Sequence, residues 1–84
     1  MKNLTKIVDL RSDTVTLPSK EMIASIANSE LGDDVFQEDP TVNQLENTVA
    51  KLVNKESAIL VPSGTMGNLI AILIHAPRGT EVIL

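Results

Sequence analysis

The stretch that decides the fold is Ser57-Ala58-Ile59-Leu60-Val61-Pro62-Ser63-Gly64-Thr65-Met66-Gly67-Asn68-Leu69-Ile70-Ala71-Ile72-Leu73-Ile74-His75-Ala76-Pro77. No formal charge interrupts it, yet Pro62, Ser63, Gly64, Gly67 and Asn68 divide it in the middle. A membrane-spanning helix needs about 20 mostly apolar residues in one piece, so two buried elements are expected instead. Ser57 to Val61 is too short for a helix and is ended by Pro62; it reads as a strand buried on both faces. Ser63-Gly64-Thr65 then turns the chain, and Met66, Leu69, Ile70, Ile72, Leu73 and Ile74 make a helix apolar almost all round, which needs cover on every side.

Working outward, Pro77-Arg78-Gly79-Thr80 breaks that helix and Glu81-Val82-Ile83-Leu84 begins a second buried strand. Upstream, Asp39 before Pro40 is a strong helix-start signal, a capping carboxylate followed by proline at the first helical position. Val42, Leu45, Val49, Leu52 and Val53 recur at helical spacing, so the spacing predicts an amphipathic helix from about Pro40 to Asn54. Lys51 and Lys55 lie near its C-terminus, where the helix dipole favours positive charge. Gly32 to Asp39 forms an acidic loop. Ser19 is the candidate N-cap of an earlier helix carrying Met22, Ile23, Ile26 and Ala27 on one face, and Ile7 to Thr16 is expected to be an extended arm.

Helix, strand, turn, helix, strand is the opening of a three-layer α/β domain with a mostly parallel sheet. A helix apolar on all sides and a strand of four residues need sheet neighbours, so the chain is expected to be a fragment. Residues 1–39 supply the arm, first helix and acidic loop, and residues 40–84 begin the larger domain. Repeats and low-complexity tracts are absent.

Composition narrows the function classes. With 84 residues, no cysteine and Phe36 as the single aromatic residue, the chain has neither disulfides nor thiolate ligands nor large anchors to reinforce a thin core. A formal net charge of −4 argues against a nucleic-acid backbone or an anionic membrane as partner. Asp9, Arg11 and Asp13 interrupt any apolar run after Lys2 and Lys6, so no secretory signal is expected and a cytoplasmic location is the default.

Strand, Pro62-Ser63-Gly64-Thr65, helix is a geometry that aims free backbone N–H groups and the positive end of a helix dipole at one point, where a phosphate fits. Ser63 and Thr65 add hydroxyls, and Gly64 allows close approach of backbone to anion. Ser63 also serves as an ordinary cap, and both readings stand at this level. It is not a Walker loop and lacks the three-glycine dinucleotide fingerprint. Gly64-Thr65-Met66-Gly67 matches the GxxG of RNA-binding KH modules, but those loops join two helices in a basic setting. Arg11-Ser12-Asp13 offers a carboxylate-binding fork and hydroxyl, or else a solvated turn with a local ion pair. Asp33, Asp34, Glu38 and Asp39 lack EF-hand spacing and read as capping and solvated groups, and His75 reads as a dipole partner at a helix C-terminus.

Taken in order, Asp9-Leu10-Arg11-Ser12-Asp13-Thr14-Val15-Thr16, Gly32-Asp33-Asp34-Val35, Glu38-Asp39-Pro40-Thr41-Val42-Asn43, Val61-Pro62-Ser63-Gly64-Thr65-Met66-Gly67-Asn68 and Pro77-Arg78-Gly79-Thr80-Glu81-Val82-Ile83-Leu84 closely resemble the N-terminal part of the low-specificity L-threonine aldolases. The resemblance implies fold type I of the pyridoxal 5′-phosphate (PLP) enzymes, the αβα aspartate-aminotransferase-like fold, truncated here. It implies a lyase of amino-acid metabolism that converts L-threonine or L-allo-threonine to glycine and acetaldehyde. On that resemblance Ser63, Gly64 and Thr65 cradle the PLP phosphate, and Ser12 stands beside the substrate carboxylate with Arg11 and Asp13 shaping the arm. Thr14 and Thr16 match threonines near a structural cation, no other metal is expected, and Phe36 stands where relatives often carry tyrosine.

The resemblance also implies what is missing. The family holds PLP through a Schiff-base lysine far downstream, with an aspartate at the pyridine nitrogen, a stacking histidine and further arginines. Lys2, Lys6, Lys20, Lys51 and Lys55 do not match that lysine motif, and His75 precedes the histidine motif. The chain alone is therefore expected to be inactive. Relatives are homo-oligomers, usually tetramers. Two other readings are another fold type I PLP amino-acid lyase, such as a β-eliminating one, and a non-catalytic module that docks through the helix Met66 to Ile74.

Overall fold

A computed structural model describes residues 7–84, so Lys2 and Lys6 lie outside the described residues. The chain falls into two units, Met1–Glu30 and Leu31–Leu84.

In the first unit the expected extended arm is interrupted by a single 3-10 turn, Asp13–Val15. Its cause is local: the Ser12 side chain accepts from the Thr14 N–H, and Thr16 closes the turn through its backbone N–H to the Asp13 carbonyl at 3.0 Å. Short polar side chains compete with extended backbone in this way. Helix α1 spans Lys20–Asn28, and the Ser19 hydroxyl accepts from the Met22 N–H at 3.2 Å, as the sequence predicts. Its own backbone N–H, then the Ser19 hydroxyl, hold the Glu21 carboxyl below its ordinary value.

In the second unit the acidic loop is a closed turn. Glu38 N–H donates to the Asp33 carbonyl at 2.8 Å and Gln37 N–H to the Asp34 carbonyl at 3.0 Å, with Gln37 in the left-handed region at φ 58°. Asp33 accepts from the Val35 N–H at 2.8 Å, and the Asn43 side chain reaches back to the Gln37 carbonyl at 2.9 Å. These acids cap and turn backbone. Helix α2 spans Pro40–Leu52 with Asp39 as N-cap. It ends two residues before the expected Asn54, because Asn54 adopts φ 53° and the Lys55 N–H returns to the Ala50 carbonyl at 2.9 Å. With Asn54 N–H on the Lys51 carbonyl, this is a Schellman stop, which asparagine tolerates in the left-handed region.

Helix α3 spans Gly64–His75, capped by Ser63, whose hydroxyl accepts from the Met66 N–H at 3.1 Å. The Pro77–Thr80 turn follows, with Thr80 N–H on the Pro77 carbonyl at 3.1 Å and Gly79 at φ 89°, a conformation that requires glycine there. No helix among the described residues is long and apolar enough to cross a membrane.

The two expected strands are corrected. Among the described residues there is no strand: Ser57–Val61 and Glu81–Leu84 run without a ladder. A strand exists only as one member of a pair, and none of the described residues forms a second strand beside either segment. Burial on both faces fails with it, since Ile59 is 75% exposed. Ala50, on α2, is the buried hydrophobic residue. The side chains that were expected to form a core, including Leu69, Ile72, Leu73 and Ile74 on α3, stand half or more exposed. Patterned apolar faces are thus in place on all three helices without the layers that would cover them.

Candidate functional site

The turn before α3 is built by one hydroxyl. Ser63 is extended, at φ −152° and ψ 153°, and its side chain satisfies the Met66 N–H while its carbonyl takes the Gly67 N–H at 3.1 Å. That accounting leaves the N–H groups of Gly64 and Thr65 without a partner among the described residues, at the positive end of a twelve-residue helix. A Cβ built on Gly64 meets nothing within 4 Å, so the side-chain direction at this first helical residue is open. The Thr65 hydroxyl stands beside them. Two backbone donors, a hydroxyl and a clear approach suit a phosphate ester. The cap role and the cradle role of Ser63 are compatible, because capping Met66 leaves the first two N–H groups for a ligand.

The other sequence-predicted residues lie in the first unit. Arg11 forks onto Asp9: Nε is 2.9 Å from Oδ1, and Nη2 is 2.6 Å from Oδ2. Sequence reading proposed either a carboxylate receptor or a local ion pair here; the guanidinium is engaged by Asp9. The Arg11 side chain, then its backbone N–H, hold the Asp9 carboxyl below its ordinary range, and the same contact raises Arg11. Arg11 is exposed and Asp9 half-buried, so solvent screens the pair and it contributes little to stability. Its signal was legible as an Asp-x-Arg spacing. Ser12 Oγ accepts from the Thr14 N–H at 3.2 Å and from the Thr14 hydroxyl at 2.9 Å, and donates to Asp13 Oδ1 at 3.3 Å. The Thr16 hydroxyl donates to the Asp13 carbonyl at 2.6 Å. Ser12, Thr14 and Thr16 therefore form one hydroxyl-rich turn within the first unit, and Ser63, Gly64 and Thr65 form the turn before α3 within the second. Among the described residues no group of three or more His, Asp or Glu side chains could hold a metal.

Asp39 joins the acidic loop to α2. Its Oδ1 accepts from Thr41 N–H at 2.9 Å and Val42 N–H at 3.0 Å, and its Oδ2 from Gly32 N–H at 3.2 Å. The Val42 N–H leads in holding its carboxyl below the ordinary aspartate value, against a smaller opposing effect of burial. A depressed folded value means that the contribution is complete above the ordinary value and is lost as pH falls through the lower one. Protection of the Gly32, Thr41 and Val42 amides, taken relative to the intrinsic exchange rate at each pH, is expected to be complete at neutral pH and to be lost on acidification below about pH 4. A flat profile down to pH 2 would remove Asp39 as the clasp.

One side-chain contact was missed by the sequence reading: Glu46 Oε2 accepts from the Leu60 N–H at 2.7 Å across fourteen residues. The signal available was only a carboxylate flanking the apolar positions Leu45 and Val49 on α2.

Residues 9–84 match the family model of the beta-eliminating lyases. The chain belongs to that family. Its members are fold type I, PLP-dependent enzymes. Among relatives, the chain is 56% identical over 80 residues to a probable low-specificity L-threonine aldolase 2 of Arabidopsis thaliana, a match covering 94% of this chain and 22% of the relative. It is 50% identical over 78 residues to the low specificity L-threonine aldolase of Escherichia coli strain K12, covering 93% and 23%. Against the corresponding enzyme of Saccharomyces cerevisiae it is 43% identical over 83 residues, covering 99% and 21%. The chain thus spans about a fifth of the length of these relatives. No solved structure matches it.

Proposed function

We propose that this chain is the cofactor-phosphate and substrate-arm portion of a PLP-dependent threonine aldolase, which cleaves L-threonine or L-allo-threonine to glycine and acetaldehyde. The observation that carries the reading is the identity of 50–56% to threonine aldolases of plant and bacterium, running through both the Ser12 arm and the Ser63 turn. The broader beta-eliminating lyase match keeps other amino-acid lyases of the same fold as the second reading, and the aldolase identities favour the first. Residues 1–39 are read as the arm, first helix and acidic loop, and residues 40–84 as the start of the large αβα domain. In that domain Ser57–Val61 and Glu81–Leu84 gain their ladders from strands outside this chain.

In this reading Gly64 and Thr65 donate N–H groups to the cofactor phosphate, the Thr65 hydroxyl adds a third donor, and Ser63 holds the turn by capping Met66. PLP, when bound, supplies the electron sink for Cα–Cβ cleavage. Ser12 is proposed beside the substrate carboxylate. Arg11 is already neutralised by Asp9, so its part is to stiffen the arm around Ser12 rather than to take the carboxylate itself. Thr14 and Thr16 remain the candidates for a structural cation, and homo-oligomer formation belongs to the same proposal.

The test is a titration of the purified chain with PLP, read by amide NMR, absorbance and a glycine-forming assay with L-threonine. Shifts confined to the Ser63–Thr65 turn and competed by inorganic phosphate are expected, with no lysine-bound absorbance band and no glycine. Borohydride-stable attachment to Lys20, Lys51 or Lys55 with turnover would overturn the division between a phosphate cradle here and a lysine elsewhere.

A further inference from the structure

The Glu46 contact joins two parts of the second unit that the sequence keeps apart. Glu46 is half-buried on α2, and its carboxylate accepts the Leu60 N–H at 2.7 Å. Leu45 and Val49 from α2 line one apolar pocket together with Ala58, Ile59 and Leu60. The carboxylate thus ties the 57–61 segment to α2 at the point where their side chains meet.

Backbone alternation gives the tie a direction. In a strand, successive N–H groups point to opposite edges. When residues 57–61 pair as a strand, the edge that carries the Leu60 N–H also carries residues 58 and 62, and Pro62 has no N–H to offer. With Leu60 taken by Glu46, that edge keeps a single donor, at Ala58. The opposite edge carries the N–H groups of Ile59 and Val61, which have no partner among the described residues. Proline and an inward-turned charge are the devices by which a sheet edge is closed to further pairing. One edge of this segment is closed and the other is open.

The closed edge leads directly into the anion site. Ser63 follows Leu60 by three residues, and a Cβ placed on Gly67 would lie 3.4 Å from Val61 Cγ2, so α3 folds back against the same segment. Residues 59–61 are thus joined to the Ser63–Thr65 turn both by the chain and by the approach of Val61 to α3. We propose that Glu46 is a positioning residue: its carboxylate holds the 57–61 segment against α2 through the Leu60 N–H, closing that edge to pairing, and thereby sets the position of the phosphate-binding turn. The positioning half rests on the PLP-phosphate reading of that turn; the edge closure does not.

The experiment compares the chain with Glu46→Ala and Glu46→Gln by amide exchange and by the response of Gly64 and Thr65 to PLP. The Leu60 N–H is expected to exchange at least about tenfold more slowly than those of Ile59 and Val61. Glu46→Ala abolishes that difference and weakens the PLP response several-fold, whereas Glu46→Gln, which keeps an acceptor oxygen, restores most of both. Equal exchange at residues 59, 60 and 61 in the unmodified chain, or Leu60 protection that survives Glu46→Ala, overturns the edge closure. An unchanged PLP response in Glu46→Ala overturns the positioning role. Leu60 protection that depends on Glu46, with no PLP response in the unmodified chain, supports the closure and instead defeats the phosphate-site reading.

Discussion

Replacing Gly32 by alanine is expected to open the acidic loop and loosen the start of α2. A Cβ at this position would overlap the Glu38 carbonyl oxygen and lie 2.8 Å from the Asp39 Cα. Both are backbone atoms, so no rotamer change relieves the overlap and the loop itself must move. The displaced backbone carries the Glu38 N–H to Asp33 bond and the Asp39 clasp on Gly32, Thr41 and Val42. The loss is expected to be at least about 2 kcal/mol of local stability, in the range of severe backbone overlap. Amide exchange at Glu38 and Val42 reads it directly. Protection unchanged in Gly32→Ala would mean that the loop and α2 are not held together as described.

Gly64→Ala separates fold from function in the opposite sense. The added methyl meets nothing within 4 Å, and Gly64 is not among the positive-φ residues. Nothing in the backbone requires glycine here, and alanine is the better helix former. Helix α3 is therefore expected to keep its helical circular dichroism or gain slightly. Affinity for PLP at the turn is expected to fall more than tenfold, because the methyl stands where the phosphate must approach the Gly64 and Thr65 N–H groups. Equal affinity with an intact helix would show that the glycine serves neither fold nor anion, and the cradle would lose its main support. The contrast between Gly32 and Gly64 is useful in itself: one glycine is demanded by packed backbone, the other by open space.

Capping chemistry was legible in the sequence because it acts over two or three residues. Ser19, Asp39 before Pro40, and Ser63 each begin a helix where their side chains accept nearby N–H groups. The Ser63–Thr65 turn was legible for the same reason, since its free donors follow from helix geometry alone. The stop of α2 at Leu52 was harder to read. It depends on Asn54 adopting a left-handed conformation that an apolar periodicity through Val53 does not announce.

Local rules do not extend to strands. Ser57–Val61 and Glu81–Leu84 have strand composition, and composition cannot supply the neighbour that accepts a ladder bond. The sequence by itself determined the three helices of the described residues, their caps and the free donors of the Ser63–Thr65 turn, because helix bonds close within four residues. Only the tertiary structure decided the rest: that Glu46 holds Leu60, that Gly32 lies against Glu38 and Asp39, and that the apolar helix faces stand open. Those are relations between residues apart in the chain, and their geometry exists only once the backbone has been placed.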